Sequence, residues 1–116
     1  MPDITGYYEF YDNQNFVGEL QILKVEANGS LVGNLADKPI VEGVFNDATG
    51  QIFFTTQKPQ IKILVDFYTG VSNVGGKYGP PIINGYHHHW GVPGNLPLKG
   101  GFLTQWVAAR TGDIIG

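Results

Sequence analysis

Gln60-Ile61-Lys62-Ile63-Leu64-Val65-Asp66-Phe67-Tyr68-Thr69-Gly70-Val71 is the stretch whose reading decides the fold class. Ile61, Ile63, Val65 and Phe67 form one row, and Lys62, Asp66 and Tyr68 form the other. This is the period-2 signature of a half-buried strand, with Leu64 alone breaking the polar row. The apolar row predicts an inward-facing Phe67 and places Asp66 toward solvent. Gly70 closes the run, and a glycine inside a strand marks a bend, a bulge or a close backbone approach.

Outward from this stretch, the same pattern recurs. Strand-like runs cover 4–11, 16–25, 30–35, 40–45, 51–57, 60–71, 82–90 and 101–110, and almost nothing reads as helix. Gly6, Gly18, Gly33, Gly43, Gly70, Gly85 and Gly101 fall in or beside these runs. One such residue in nearly every strand is how a sheet is curled toward closure. Asn28-Gly29 predicts a type I′ hairpin, since both residues tolerate positive φ. Asp12-Asn13-Gln14-Asn15, Asp37-Lys38-Pro39, Asn46 to Gly50 and Lys58-Pro59 are further turn chemistry. These loops are too short for parallel crossovers, so sequence neighbours should pair antiparallel. The expectation is an all-β fold, an eight-stranded antiparallel up-and-down meander barrel. Eight strands enclose room for side chains or one small ligand. The longer segments 72–81 and 91–99 would lie at opposite mouths, where loops that shape sites concentrate.

Composition agrees. The 116 residues suit one domain, 1–116, and 17 glycines with no repeating triplet indicate turns and tight bends. Aromatic content of 13% excludes disorder. Net charge is −3 with seven scattered basic residues, which removes the electrostatic footprint of nucleic-acid or acidic-membrane binding. The absence of cysteine removes disulfides, thiolate metal sites and cysteine nucleophiles. Met1-Pro2-Asp3-Ile4 carries no charged-then-apolar leader, and no apolar run approaches ~20 residues, so the expectation is a soluble, cytoplasmic chain.

The most unusual local feature is His87-His88-His89 before Trp90. On a strand His87 and His89 share one face, while His88 joins Tyr86 and Trp90 on the other. Histidines at i and i+2 can share a metal, with Asp66 on the preceding strand as third ligand. They can equally contact a ligand or act as a general acid–base pair, which makes His87 and His89 the catalytic candidates. The plainest reading is that they are polar strand residues lining a wet barrel end. Ligand contact or acid–base use ranks ahead of metal, and no metal or cofactor is expected. Thr104 and Trp106 share a face with Phe102 and would form a pocket floor. Glu9, Glu19, Glu42 and Asp66 all lie on strands, and alternation sets Glu19 and Asp66 toward solvent rather than in an inward carboxylate pair. Gly75-Gly76-Lys77 fails as a phosphate loop, since Tyr78 follows where Ser or Thr is required. Asn28-Gly29-Ser30 matches a glycosylation acceptor but is better explained as a turn.

Ile4-Thr5-Gly6 followed by aromatics, Asn28 to Gly33, and Thr104-Gln105-Trp106 together resemble the avidin–streptavidin family: its first strand, its "DGxLTG" hairpin and its "TQW". The resemblance implies an eight-stranded meander barrel with a ligand in one mouth, and Trp106 as a ligand contact. Glu9, Phe10 and Tyr11 stand where that family carries its ureido-binding polar residues. The sequence therefore points to a small-molecule-binding barrel lined by Trp106, Thr104, His87, His89, Phe67 and Tyr8, able to self-associate. A cyclase or isomerase using His or Tyr acid–base chemistry is one alternative. A carbohydrate-recognition module presenting Trp90, Tyr86 and Tyr78 is the other.

Overall fold

The alternating rows become strands wherever the computed structural model describes the chain, which is at residues 3–57, 66–74, 81–89 and 102–113. In order they are β1 (Gly6–Asp12), β2 (Asn15–Val25), β3 (Leu31–Leu35), β4 (Lys38–Pro39), β5 (Glu42–Phe45), β6 (Gln51–Thr55), β7 (Asp66–Ser72), β8 (Ile82–His89) and β9 (Phe102–Gly112). No helix occurs among the described residues. Nine strands replace the expected eight, because residues 38–39 form a short edge strand of their own. Half of the deciding stretch, residues 60–65, lies outside the described residues.

All nine join one antiparallel sheet in the order β4-β3-β2-β1-β9-β8-β7-β6-β5, curled into a half-barrel. The first and last long strands meet, with Tyr8 opposite Arg110 and Phe10 opposite Ala108. A single bridge, Ser30 to Val44, and a hydrogen bond from the Phe45 N–H to the Gly29 carbonyl (2.8 Å) link β3 to β5 across the open side.

The turns depart from expectation in one instructive way. The two-residue loop with positive φ at both positions is Asn13-Gln14 (51° and 68°), and Ala36-Asp37 repeats it (49° and 69°). These type I′ values match the right-handed twist of the flanking strands. At Asn28-Gly29 only Gly29 is left-handed (91°). The Asn28 side chain accepts the Ser30 N–H instead (3.0 Å), and the Gly29 N–H returns to the Glu26 carbonyl (2.8 Å). Asparagine's local hydrogen bond thus makes a longer turn than the dipeptide alone suggests.

Burial against the concave face selects one row from each strand. Tyr8 and Phe10 of β1, Leu20 and Ile22 of β2, Leu31 and Leu35 of β3, Ile52 and Phe54 of β6, Tyr68 of β7, Ile83 of β8, and Trp106 and Ala108 of β9 form the core. At its centre Phe10 stacks on Trp106 (5.2 Å) and Phe54 on Tyr68 (4.8 Å), the two pairs meeting edge to face. Such geometry adds roughly 0.5–1.5 kcal/mol per pair beyond area burial. Gly70 and Gly85 face each other beneath the Trp106 indole. A Cβ at Gly70 would lie 2.8 Å from that ring, and one at Gly85 would lie 1.9 Å from the Thr69 carbonyl oxygen. The bare backbone at this pair is what lets the sheet bend over a tryptophan.

Candidate functional site

At the end of the half-barrel where β1 ends and β7 begins, the concave face changes from aromatic to ionic. Register does this. Asp66 lies opposite His89, Tyr68 opposite His87, and His87 opposite Thr104. Asp12 pairs with Trp106 one step deeper, at the end of a β1–β9 register that runs unbroken from Tyr8 to Asp12. Thr55, fully buried, donates its hydroxyl to the Asp66 carbonyl (2.7 Å) and so anchors the first residue of β7.

His87 is the hub. Its Nδ1 lies 2.6 Å from Asp12 Oδ2, and its Nε2 lies 2.5 Å from Asp66 Oδ1. A carboxylate at each nitrogen requires both nitrogens to donate, which only the imidazolium does. The second Asp66 oxygen meets His89 Nδ1 at 3.2 Å, while Asp12 Oδ1 accepts the Thr104 hydroxyl at 2.5 Å. Tyr68 lies flat against the His87 ring, 4.3 Å between centroids and 17° from parallel. The phenol face therefore supports the imidazolium by cation–π attraction.

The electrostatics follow from this geometry. Burial opposes charge on His87, but the hydrogen bonds and charges of Asp66 and Asp12 outweigh it and raise its pKa. Burial likewise pushes Asp66 up, and His87 and His89 more than reverse this, leaving its pKa lowered. Burial, together with the nearby Asp66 and Asp12 charges, raises the Tyr68 phenol far above its ordinary value. Two anions and one firmly held cation thus share a rim where His87 is 12% exposed and Asp66 35%.

The residues singled out from the sequence divide into three groups. His87, His89 and Thr104 come together here. Trp106 and Tyr8 belong to the core: the Trp106 indole N–H donates to the Thr69 carbonyl (3.1 Å), and the Tyr8 hydroxyl donates to the Ile4 carbonyl (2.7 Å). Burial raises the Tyr8 phenol to about 12. Phe67 lies on the opposite face, stacked on His88 at 4.5 Å. The expected inward row of β7 is therefore reversed: Asp66 and Tyr68 point in, because Tyr68 completes the aromatic cluster. Glu19 is exposed, as its strand row required, and Glu9 and Glu42 are exposed as well, whereas Asp66 turns inward. Phe102's side chain, Trp90, Tyr78, and residues 75–80 and 91–99 of the two long loops lie outside the described residues.

Asp12 was legible only as a turn residue. Its role depends on β1 meeting β9, a contact between the two ends of the chain.

A further concavity lies elsewhere among the described residues. A groove of about 940 Å³ runs over the convex side of Gly70 and Gly85, lined by Thr69, Val71, Asn84, Tyr86 and Gln105 among others. It contains none of the ionic residues, so shape and chemistry point to different faces of the same strands.

No family model, curated protein or solved structure matches this chain. Among the described residues no helix is long and apolar enough to cross a membrane.

Proposed function

We propose that the chain is a small-molecule-binding β-barrel that takes its ligand at the ionic mouth formed by Asp12, Asp66, His87, His89 and Thr104. The observation that carries this reading is the convergence of these five side chains, from four strands, on the rim of an otherwise apolar interior. A polar network in such a setting is costly unless every member is satisfied, and it gives stability no advantage over an apolar rim. Tyr68 forms the wall below it, and the aromatic cluster forms the floor. Closure of the half-barrel, as the sequence led us to expect, is favoured by the Ser30–Val44 bridge across its open side.

The ligand class follows from the donors and acceptors. Asp66 and His89, the more exposed members, offer a carboxylate and an imidazole to a hydrogen-bonding head group. Native mass spectrometry of the purified protein should reveal a one-to-one small-molecule adduct that disappears in His89→Ala. An adduct that survives His89→Ala and Asp66→Asn overturns the assignment.

The convex groove favours a second reading, as a carbohydrate-recognition module. Tyr86 is 45% exposed there beside the amides of Asn84 and Gln105, which is the mixture of aromatic platform and hydrogen-bonding groups that sugars require. Glycan binding lost in Tyr86→Ala and kept in His89→Ala would select this face.

A further inference from the structure

We propose that Asp66, His87 and His89 form a three-ligand site for a divalent transition-metal ion of the zinc class, with Asp12 and Thr104 supporting it. This deepens the reading of the mouth as the binding site and rests on it. One ligand atom from each of the three residues lies within 4.8 Å of the others. Two imidazole nitrogens and one carboxylate oxygen are a set suited to zinc and its neighbours, and three protein ligands leave a coordination position open.

The supporting residues make this more than proximity. A ligating histidine normally donates its other ring N–H to a carboxylate, which sets the tautomer and the ring orientation. His87 has this arrangement already: Nδ1 is directed at Asp12, and Asp12 is held by the Thr104 hydroxyl. Nε2 is thereby turned toward Asp66 and His89. Asp66 presents a separate oxygen to each histidine. On binding, the His87 Nε2 proton leaves to solvent, and two carboxylates then balance the dication.

Binding requires the three ligand atoms to close from within 4.8 Å of one another onto a common ion. Bonds of about 2.0–2.1 Å in a tetrahedron separate neighbouring ligand atoms by roughly 3.3 Å. His87 Nε2 lies 2.5 Å from one Asp66 oxygen and His89 Nδ1 lies 3.2 Å from the other, so the carboxylate must turn until a single oxygen faces both nitrogens. Asp66 is the most exposed of the ligands and the one best able to turn. At the remaining coordination position a ligand oxygen or nitrogen would complete the shell.

The test uses the full chain stripped with a chelator, titrated with Zn²⁺ by calorimetry and with Co²⁺ by visible absorption. One ion per chain is expected, with the intense visible bands of low-coordinate cobalt. His89→Ala and Asp66→Asn, both near the surface, should weaken binding roughly 100-fold or more, and Asp12→Asn by about 10–100-fold. His88→Ala, on the other face, should leave it unchanged. Absence of saturable binding overturns the site, as does binding that survives His89→Ala and Asp66→Asn or that is lost in His88→Ala. If Zn²⁺ fails to bind while the stripped protein keeps its small-molecule adduct, the metal site falls and the ligand reading stands. Zn²⁺ binding without any mouth-dependent adduct supports the metal site and removes the organic ligand.

Discussion

Strands β7 and β8 carry nearly the same pair of side chains on both faces. Inside, Tyr68 stacks on His87; outside, Phe67 stacks on His88, at almost equal centroid distances of 4.3 and 4.5 Å. The partners differ. His87 lies between two aspartates, whereas His88 Nε2 meets the Thr69 hydroxyl at 2.9 Å. Inward curvature makes the difference: the concave face brings β1 and its Asp12 within reach of β8, and the convex face spreads the same strands apart. One aromatic–histidine pair has thus become a charged hub and the other a surface contact.

The comparison breaks most completely at the backbone that both faces share. Gly85→Ala would drive a Cβ to 1.9 Å from the Thr69 carbonyl oxygen, an overlap with main chain that no rotamer relieves. Destabilisation of roughly 3 kcal/mol or more is expected, at the upper end for overpacking, measured by urea unfolding. An unfolding midpoint within error of the parent would show that the two strands are not held this closely.

Next in size is the inner histidine alone. His87→Ala leaves Asp12 and Asp66 facing each other with no cation between them. Removing one partner of a fully buried pair costs about 3–5 kcal/mol; the 35% exposure of Asp66 reduces this to roughly 2–3 kcal/mol. His88→Ala should cost less than ~1 kcal/mol, and equal losses would erase the distinction between the faces.

The inner face should also respond to pH. In chelator-treated protein, the raised His87 pKa contributes stability that is fully present below its ordinary value of 6.5 and is lost as pH rises through the folded value. The lowered Asp66 pKa contributes stability present above 3.8 and lost as pH falls through its own folded value. Stability from this pair should therefore be greatest between about pH 4 and 6.5, and His87→Ala should flatten the profile. Thermal melts across pH 3–9 measure it, and an unchanged profile in the variant would assign the dependence elsewhere.

The smallest expected effect sharpens the contrast. Thr104→Val removes the hydroxyl that holds Asp12 and should cost about 1 kcal/mol. It should also lower the His87 pKa, read by NMR titration of the ring protons.

Much of the architecture was legible in advance because alternation and turn chemistry are local. The 4–11, 16–25 and 82–90 runs reappear as β1, β2 and β8 with ends shifted by a few residues, and His87 and His89 share a face as their spacing required. The edge strand at 38–39 was not legible, since Ala36-Asp37 carries no glycine or asparagine to announce a positive-φ turn. The site was half legible. Its histidines and Thr104 stood out, but Asp12 is 75 residues from His87 and looked like turn chemistry.

By itself the sequence determined an antiparallel β meander and the rows into which each strand divides, because strand periodicity and short loops leave little else possible. Which row of a strand turned inward was decided only by tertiary structure. At β7 both Phe67 and Tyr68 can serve as core residues, and alternation does not rank them. The choice fell to Tyr68 because Phe10, Phe54 and Trp106 arrive from three other strands to surround it, and Asp66, two residues before it in the same row, was carried inward to meet His87.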